Sequence, residues 1–327
     1  MSSPGRATAR TPQSFAGCVD AFHPKLVTVG HILNEVIKFP THTVGPVLGG
    51  PAAYSAIAAG MLGEKTGIVT RIGTNMPKQL LKPFSEARVD TSGIRIEGEK
   101  NTSNVLLYDE SGNKEMQFLE KAPNISLEDF PHNYMSAEMI HICPIDNEVT
   151  IETLESLGRQ GSILSADLGG YGGAPSGGRL PKSKGNRQEI LRELMGHFSV
   201  VKASMDDCYH MFGKRIIPPE QAIHLFLKWN VEVAIVTLGK MGSLVATKEK
   251  LERIPVFPVK TFRDPTGAGD AYIASFLVEY IRTRDVQRSA IFASATASFI
   301  TEREGLGCDP RRFPARSEVE QRITKGR

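Results

Sequence analysis

Short apolar segments alternate with helical ones along most of this 327-residue chain, and that alternation limits the folds open to it. Strand-like runs occupy residues 25–30, 67–72, 139–143, 162–166, 199–202 and 233–238, with helical patterns at 50–62, 77–88, 147–159, 186–196 and 218–229. Buried strands that alternate with helices predict an α/β fold with a mostly parallel sheet covered on both faces. Such sheets bind their ligands in the loops at the carboxyl ends of the strands.

Residues 94–118 depart from this pattern. They form short alternating runs around a turn at residues 110–113, which is typical of antiparallel hairpins.

A glycine-rich stretch at 169–178 is predicted to be a mobile loop. Residues 1–22 are predicted to be a disordered tail, or a transit peptide by their arginine, serine and threonine content. Residues 311–327 are predicted to be a loosely held polar tail.

Composition argues against several classes of partner. The net charge of +3 is small and the basic residues are scattered, so the chain lacks the surface that nucleic acids or membranes require. No apolar run reaches the roughly 18 residues of a membrane span. The four cysteines lie far apart without a Cys-x-x-Cys pair, which disfavours zinc and redox sites and predicts a cytoplasmic protein with reduced thiols.

The glycine-rich turn DPTGAGD at residues 264–270 precedes an apolar helical run. The amino terminus of a helix carries unpaired N–H groups and partial positive charge, and small residues let an anion approach them closely. Asp270 would place a carboxylate, able to accept a proton, beside that anion site. An anion hole next to a base suits phosphoryl transfer to a hydroxyl. The alternative is structural: Asp270 complements the helix dipole and the glycines fit a tight turn.

Two separated motifs resemble the signatures of the ribokinase-like (PfkB) carbohydrate kinases. DPTGAGDAY at 264–272 resembles the C-terminal signature. GGPAA at 49–53, followed by Gly63 and Gly73, resembles the N-terminal one. TLGKMG at 237–242 also resembles the family's T-x-G-x-x-G turn near the nucleotide.

The resemblance implies an architecture as well, since it runs from about Lys25 to Gly305. It implies a ribokinase-like α/β domain over residues 23–310, in which helices flank a central, mostly parallel sheet. A small β-strand lid would be inserted at about 34–48 and 94–120, where the family keeps its lid. The exposed edges of the lid strands would suit a homodimer formed by β pairing.

The same resemblance assigns roles to residues of this chain. Asp270 is the catalytic base, and the backbone of Gly267, Ala268 and Gly269 is the anion hole. The nucleotide site takes in Thr237, Gly239, Gly242, Ser204, Asp207 and Thr266. The acceptor site takes in Asn34, Glu35, Gly49, Gly50, Tyr54 and Asp167. ATP would bring Mg²⁺, held mostly through phosphates and water with Asp207 as a protein contact, and many members also hold a monovalent cation such as K⁺ beside the anion-hole turn.

Several positions depart from the family pattern. Tyr54 stands where most sugar kinases have asparagine, and it either faces the substrate or packs under the lid. Glu35 replaces the usual aspartate. Ser204 and Asp207 stand at the two ends of the family's N-x-x-E motif, where the carboxylate is one methylene shorter. With Lys-Ala-Ser at 202–204, these changes resemble the myo-inositol kinase branch.

The resulting hypothesis is an ATP-dependent kinase that phosphorylates a hydroxyl of a small polyol or sugar, with myo-inositol favoured. Two alternatives stay open. One is a nucleoside kinase, in which Tyr54 would stack on the base. The other is a catalytically weak ligand-binding regulator of the same fold, which the altered Ser204 and Asp207 would suit. Asp167, at the end of a strand, either contacts the ligands or caps the following turn.

Overall fold

The computed structural model describes residues 22–110 and 114–326, so the predicted amino-terminal tail lies almost wholly outside the described residues. The strands in those ranges are β1 (Leu26–Val29), β2 (Leu33–Lys38), β3 (Thr43–Gly49), β4 (Thr66–Ile72), β5 (Asp90–Ile96), β6 (Ser103–Tyr108), β7 (Lys114–Glu120), β8 (Met139–Ile142), β9 (Leu164–Asp167), β10 (Val200–Ser204), β11 (Val233–Thr237), β12 (Ser243–Ala246) and β13 (Leu251–Ile254). The α-helices there are α1 (Pro51–Met61), α2 (Lys82–Glu86), α3 (Ile151–Arg159), α4 (Arg187–Met195), α5 (Met205–Met211), α6 (Pro219–Lys228), α7 (Ala268–Thr283), α8 (Val286–Glu302) and α9 (Arg316–Lys325).

Nine strands form the main sheet, in the order β13-β12-β11-β10-β9-β8-β1-β4-β5. Neighbours from β11 through to β5 pair in parallel, and β12 and β13 add an antiparallel edge. The central strands are buried along their length because helices cover both faces of the sheet. In β1, Val27 packs in one core cluster with Leu154 of α3, whereas Leu26 packs in another with Phe276 of α7. The predicted α/β fold class is confirmed.

A separate four-stranded sheet, the lid, has the order β3-β2-β6-β7. β2 pairs with β6 in parallel, and the two outer pairs are antiparallel. Residues 94–96, which we expected in the lid, belong instead to β5 and pair with β4 in the main sheet. β5 is an edge strand with one solvated face, as the 67% exposure of Ile96 shows, so its alternation resembles that of a lid strand. Dimerisation through the outer lid strands remains a prediction.

The segment expected to be helical over 77–88 is divided. A 3₁₀ turn at Lys78–Leu81 precedes α2, and Pro83 lies in the first turn of α2. Proline lacks an N–H group, so it begins a helix more readily than it continues one.

Across the described ranges, no helix has both the length and the apolar character of a bilayer span.

The residues after Arg311 are ordered rather than loosely held. A 3₁₀ turn at Pro310–Arg312 leads to α9, and Arg312 and Phe313 are buried. The guanidinium of Arg322 on α9 lies 3.5 Å from the ring centroid of Phe299 on α8. Arginine side chains can cover aromatic faces while keeping their charge. A polar composition therefore does not prevent this segment from packing.

Candidate active site

The amino terminus of α7 has the geometry of an anion-binding turn. Gly267 is its N-cap and adopts a left-handed conformation with φ of 80°. A Cβ atom on Gly267 would lie 2.3 Å from ring carbons of Tyr54, so only glycine fits here. The carboxylate of Asp264 shapes the turn by accepting the N–H of Thr266 at 2.9 Å. Asp270 follows in the first helical turn, where the helix dipole favours a carboxylate.

The N–H groups of the turn are not equivalent. That of Ala268 donates to the carbonyl of Pro265 at 3.0 Å within the turn. Gly267 and Gly269 lie at the N-cap and in the first turn of α7, where N–H groups lack helical partners. The anion hole of Gly267, Ala268 and Gly269 stays a prediction.

Lys202 of β10 is a site residue that the motifs did not single out. Its Nζ lies 3.0 Å from the position that a Cβ atom on Gly269 would occupy, so the charge sits beside the glycine-rich turn. Nζ also forms an ion pair with Asp167 at 2.8 Å, and both side chains are more than nine-tenths buried. Burial alone would lower the pKa of Lys202, but Asp167, Asp207 and Asp270 raise it above its usual value. Lys202 is therefore a permanent positive charge next to Asp270.

Asp167 has two partners at the end of β9. One oxygen holds Lys202, and the other accepts the N–H of Gly169 at 3.2 Å as a cap on the following turn. Asp167 therefore caps the turn that follows β9, and it also pairs with Lys202. Its contact with a ligand remains a prediction.

Asp207 anchors the glycine-rich stretch at 169–178. One carboxylate oxygen accepts the N–H and hydroxyl of Ser204 at 2.8 and 2.7 Å, and the other accepts the N–H of Ala174 at 3.0 Å. Ser176, fully buried, donates to the carbonyl of Gly173 and accepts the N–H of Gly172. The stretch is thus an ordered loop held by side chains, and not the mobile loop that its composition predicts.

Four of the predicted nucleotide residues lie at or just after the carboxyl ends of two neighbouring strands. Ser204 and Thr237 are paired neighbours at the carboxyl ends of β10 and β11. Gly239 and Gly242 follow in a short turn with positive φ angles of 57° and 86°. A Cβ atom on Gly242 would lie 2.0 Å from the carbonyl oxygen of Ile254, so this turn packs against the adjoining edge strand.

The lid supplies the other half of the site. Glu35 on β2 accepts a hydrogen bond from the amide of Asn104 on β6 at 2.9 Å, and both residues are buried. Its carboxylate lies about 3.3 Å from where a Cβ atom on Gly49 would stand, and Gly50, with φ of 98°, then starts α1. Successive side chains of a strand point to opposite faces, so Asn34 faces away from Glu35. The structure brings Glu35, Gly49 and Gly50 together with Asn104, and separates the side chain of Asn34 from them.

Tyr54 packs beneath the glycine-rich turn. Its ring touches Gly267 and tilts against Phe313 at a centroid distance of 6.3 Å. Burial, with further contributions from Cys308 and Glu35, raises the pKa of Tyr54 well above its usual value. Its hydroxyl is buried without a hydrogen-bond partner among the described residues. The ring of Tyr54 thus packs against the glycine-rich turn, and the two alternatives, contact with the substrate and packing under the lid, stay predictions.

This placement of Tyr54 gives a testable expectation. Tyr54→Phe should leave kcat unchanged and keep or raise the stability by up to about 1 kcal/mol, because it removes an unpaired buried hydroxyl. Thermal unfolding and ADP release would measure both effects. Tyr54→Ala is the contrast, with an expected loss of about 3–5 kcal/mol from the cavity under Gly267. A marked loss of acceptor affinity in Tyr54→Phe would show instead that the hydroxyl binds substrate.

Cys308 lies where the two halves of the site meet. Burial raises the pKa of its thiol well above the usual value, and the nearby carboxylates of Glu35 and Asp270 add to this shift. Its N–H donates to the carbonyl of Leu48 on β3 at 2.8 Å, which ties this loop to the lid. Glu35 of the lid and Asp270 of α7 therefore both lie near Cys308.

Relatives of known name match most of the chain. The model of the pfkB family of carbohydrate kinases matches residues 23–311. A cytidine kinase of Thermococcus kodakarensis is 29% identical over 268 residues, which cover 80% of this chain and 90% of that protein. A nucleoside kinase of Methanocaldococcus jannaschii is 26% identical over 316 residues, which cover 93% of this chain and 98% of that protein.

Solved structures share the fold. The Methanocaldococcus jannaschii nucleoside kinase superposes with a TM-score of 0.66 at 25% identity, covering 93% of this chain and 99% of that one. A Vibrio cholerae fructokinase double mutant with fructose, ADP and a potassium ion bound has a TM-score of 0.75 at 20% identity, covering 93% and 99%. Other structures of this fold hold ATP, or ATP with Mg²⁺. The chain belongs to the pfkB family of carbohydrate kinases, phosphotransferases whose acceptor is a hydroxyl group.

Proposed function

We propose that this kinase phosphorylates a hydroxyl of a nucleoside, with cytidine as the first candidate. The observation that carries the proposal is a stack of aromatic rings on the lid. Phe39 stacks with His42 at a centroid distance of 4.7 Å and with Tyr108 at 5.0 Å. Aromatic faces of this kind bind nucleobases by stacking. The cytidine kinase and nucleoside kinase among the relatives support the same class of acceptor.

The stack lies close to the groups that we propose react. Tyr108 forms a side-chain hydrogen bond with Thr266 of the glycine-rich turn, and burial, together with the nearby carboxylates of Asp264 and Glu35, raises its pKa. Tyr108 therefore lies near both the turn and Glu35 of the lid. A base stacked there would leave its ribose near Glu35 and Asn104, whose carboxylate and amide suit sugar hydroxyls.

The proposed mechanism assigns one task to each group. Asp270 accepts the proton of the acceptor hydroxyl. The N–H groups of Gly267 and Gly269, with the ammonium of Lys202, hold the charge of the transferring phosphoryl group. ATP fits this arrangement because fixed donors and one buried cation converge on the helix terminus. Mg²⁺ bound to the phosphates would neutralise their charge, with Asp207 reaching it through water, since the Asp207 oxygens already accept N–H and O–H groups.

A small polyol is the second candidate acceptor. The Glu35–Asn104 pair could bind hydroxyls of any polyol, and Lys-Ala-Ser at 202–204 resembles the myo-inositol kinase branch. Sugar kinases among the named relatives, a fructokinase and a ribokinase, support an acceptor of this class. The regulator alternative has less support, because the chain keeps Asp270 in the first turn of α7, with the ammonium of Lys202 beside the glycine-rich turn.

The experiment measures ADP release with Mg²⁺–ATP and one acceptor at a time: cytidine, adenosine, ribose, fructose and myo-inositol. We expect the highest kcat/KM for a nucleoside. We expect Glu35→Gln to raise the KM for that acceptor about ten- to a hundredfold, the factor for losing a charged hydrogen bond of about 1.5–3 kcal/mol. The KM for ATP should not change.

Asn34→Ala is the matched control, because Asn34 neighbours Glu35 on β2 but points to the opposite face. Its acceptor KM should equal that of the wild type. Turnover of myo-inositol or a free sugar alone would contradict the nucleoside proposal. Binding of ATP with no turnover of any acceptor would favour the regulator.

A further inference from the structure

Arg312 is a buried cation directly behind the glycine-rich turn. Its side chain is fully buried, and its Nη2 donates to the carbonyls of Thr266 at 3.0 Å, Asp264 at 3.1 Å and Ile300 at 3.2 Å. The carboxylate of Asp264 lies 3.4 Å from the same nitrogen. Nη1 donates to the carbonyl of Gly307 at 3.1 Å. The guanidinium thus joins the turn, the end of α8 and the loop that follows it.

These oxygen atoms are the kind that bind a hard monovalent ion. Backbone carbonyls replace the hydration shell of K⁺ in other proteins, and a carboxylate adds charge. One solved structure of this fold, the Vibrio cholerae fructokinase, contains a potassium ion. In this chain the carbonyls of Asp264, Thr266 and Ile300 converge on Nη2 of Arg312, so the same oxygens do not fit a potassium ion.

We propose that Arg312 is the resident cation of the anion-hole turn, so that this kinase needs no monovalent metal ion. The inference rests on the proposed phosphoryl transfer at this site. Arg312 is a positioning residue, because it contacts the carbonyls of the turn and not the reacting groups. By holding the carbonyl of Thr266 inward, it directs the N–H of Gly267, which lies in the same peptide, to the opposite side, and by holding the carbonyl of Asp264 it fixes the start of the turn.

The burial of a guanidinium here has a physical basis. A buried charge is costly unless it is paired and its donors are used. Asp264 supplies the opposite charge, and the planar guanidinium directs several donors along fixed lines. Ile300 lies in the last turn of α8, where carbonyls lack helical partners and carry partial negative charge. Nη1 and Nη2 of Arg312 therefore satisfy these oxygens, while its Nε is buried without a hydrogen-bond partner among the described residues.

The first test uses the wild-type enzyme and requires no variant. ADP release is measured with ATP and magnesium in tetramethylammonium buffer, and then with K⁺, NH₄⁺ or Na⁺ added. We expect kcat and the KM for ATP to stay within about twofold across the series, because the guanidinium already occupies the oxygens that an added ion would bind. Activation by K⁺ of about tenfold or more would overturn the proposal.

The second test removes the guanidinium. We expect Arg312→Ala to lower kcat by about 10²–10³, the size of losing one oxyanion donor. Added guanidinium or K⁺ should restore at least about a tenth of the wild-type rate, because either ion can take the vacated oxygens. Arg312→Lys, which keeps a point charge, should lose less. Arg311→Ala is the matched control, because Arg311 is exposed and pairs only with Asp309 in this loop.

Turnover and the binding of ATP, measured side by side, separate this inference from the choice of acceptor. The rise in melting temperature on adding Mg²⁺–ATP requires no acceptor, so it is measured in each buffer for the wild type and both Arg312 variants. A wild type with no turnover on any acceptor, but the same ATP-induced rise in every buffer, would refute the nucleoside proposal and keep the role of Arg312. An Arg312→Ala variant that is stable but gains nothing from guanidinium or K⁺ would contradict that role. If this variant does not fold, the wild-type cation series decides.

Discussion

We expect Asp270→Asn to lower kcat by about 10³- to 10⁴-fold while the KM for ATP stays within about twofold. Asparagine has the same shape, so the turn and its N–H donors should keep their positions, and only the proton acceptor is lost. General base catalysis by one positioned side chain contributes up to about 10⁴-fold. Steady-state ADP release with the best acceptor measures the loss.

Asp285→Asn is the matched control for this change. Asp285 caps the start of α8 by accepting the N–H of Arg288 at 2.9 Å, and it lies at the opposite end of α7 from Asp270. Each substitution removes a carboxylate from a helix amino terminus, at a cost of about 0.3–1 kcal/mol of stability. Both variants should therefore melt at similar temperatures, and only Asp270→Asn should lose turnover. Normal turnover in Asp270→Asn would identify another residue as the base.

The second large effect is expected from Lys202→Met. We expect kcat to fall by about 10²–10³ and the KM for ATP to rise, because the cation beside the anion hole is lost. Stability should fall by about 3–5 kcal/mol as well, since Asp167 would be left as a buried and unpaired carboxylate. Steady-state kinetics and denaturant unfolding measure the two losses.

A double variant separates the two roles of Lys202. Lys202→Met with Asp167→Asn removes the unpaired charge, so stability should recover much of its loss while kcat stays low. Recovery of kcat together with stability would mean that Lys202 acts only in the fold. An unchanged kcat in the single variant would exclude Lys202 from the phosphate site.

The features that could be predicted from the sequence are local ones. The turn before Asp270 is recognisable because small residues, a carboxylate and an apolar helix follow one another within a few positions. The order of strands and helices follows from hydrophobic periodicity, and the bounds differ by a few residues at most of the elements. Even within the turn, the internal hydrogen bond of Ala268 depends on backbone geometry that residue types do not reveal.

The residues that sequence reasoning missed depend on contacts between distant parts of the chain. Lys202 carried one signal, because a lysine within the apolar strand VVKAS needs a buried partner. Arg312 carried none, since it stands among several arginines in a polar segment, and its oxygen partners lie in the glycine-rich turn, at the end of α8 and in its own loop. Asn104 pairs with Glu35 only because β6 lies beside β2 in the lid.

The glycine-rich stretch at 169–178 shows the limit of composition as a guide. Many glycines indicate flexibility in an unfolded segment, yet here they allow tight turns around buried side chains. A Cβ atom on Gly170 would lie 2.1 Å from the carbonyl oxygen of Pro144, and one on Gly173 would lie 2.6 Å from the carboxylate of Asp207. In this loop, glycine marks close packing rather than motion.

The assembly of the lid from two separated stretches has a consequence for folding. β2 and β3 precede β4 in the chain, whereas β6 and β7 follow β5, so the parallel pair of β2 and β6 joins segments that the main sheet must first bring together. The parallel pair cannot form before those strands are in place, because the entropy of closing the intervening loop must be lost first. We therefore expect the lid to be the part that opens while the main sheet stays intact.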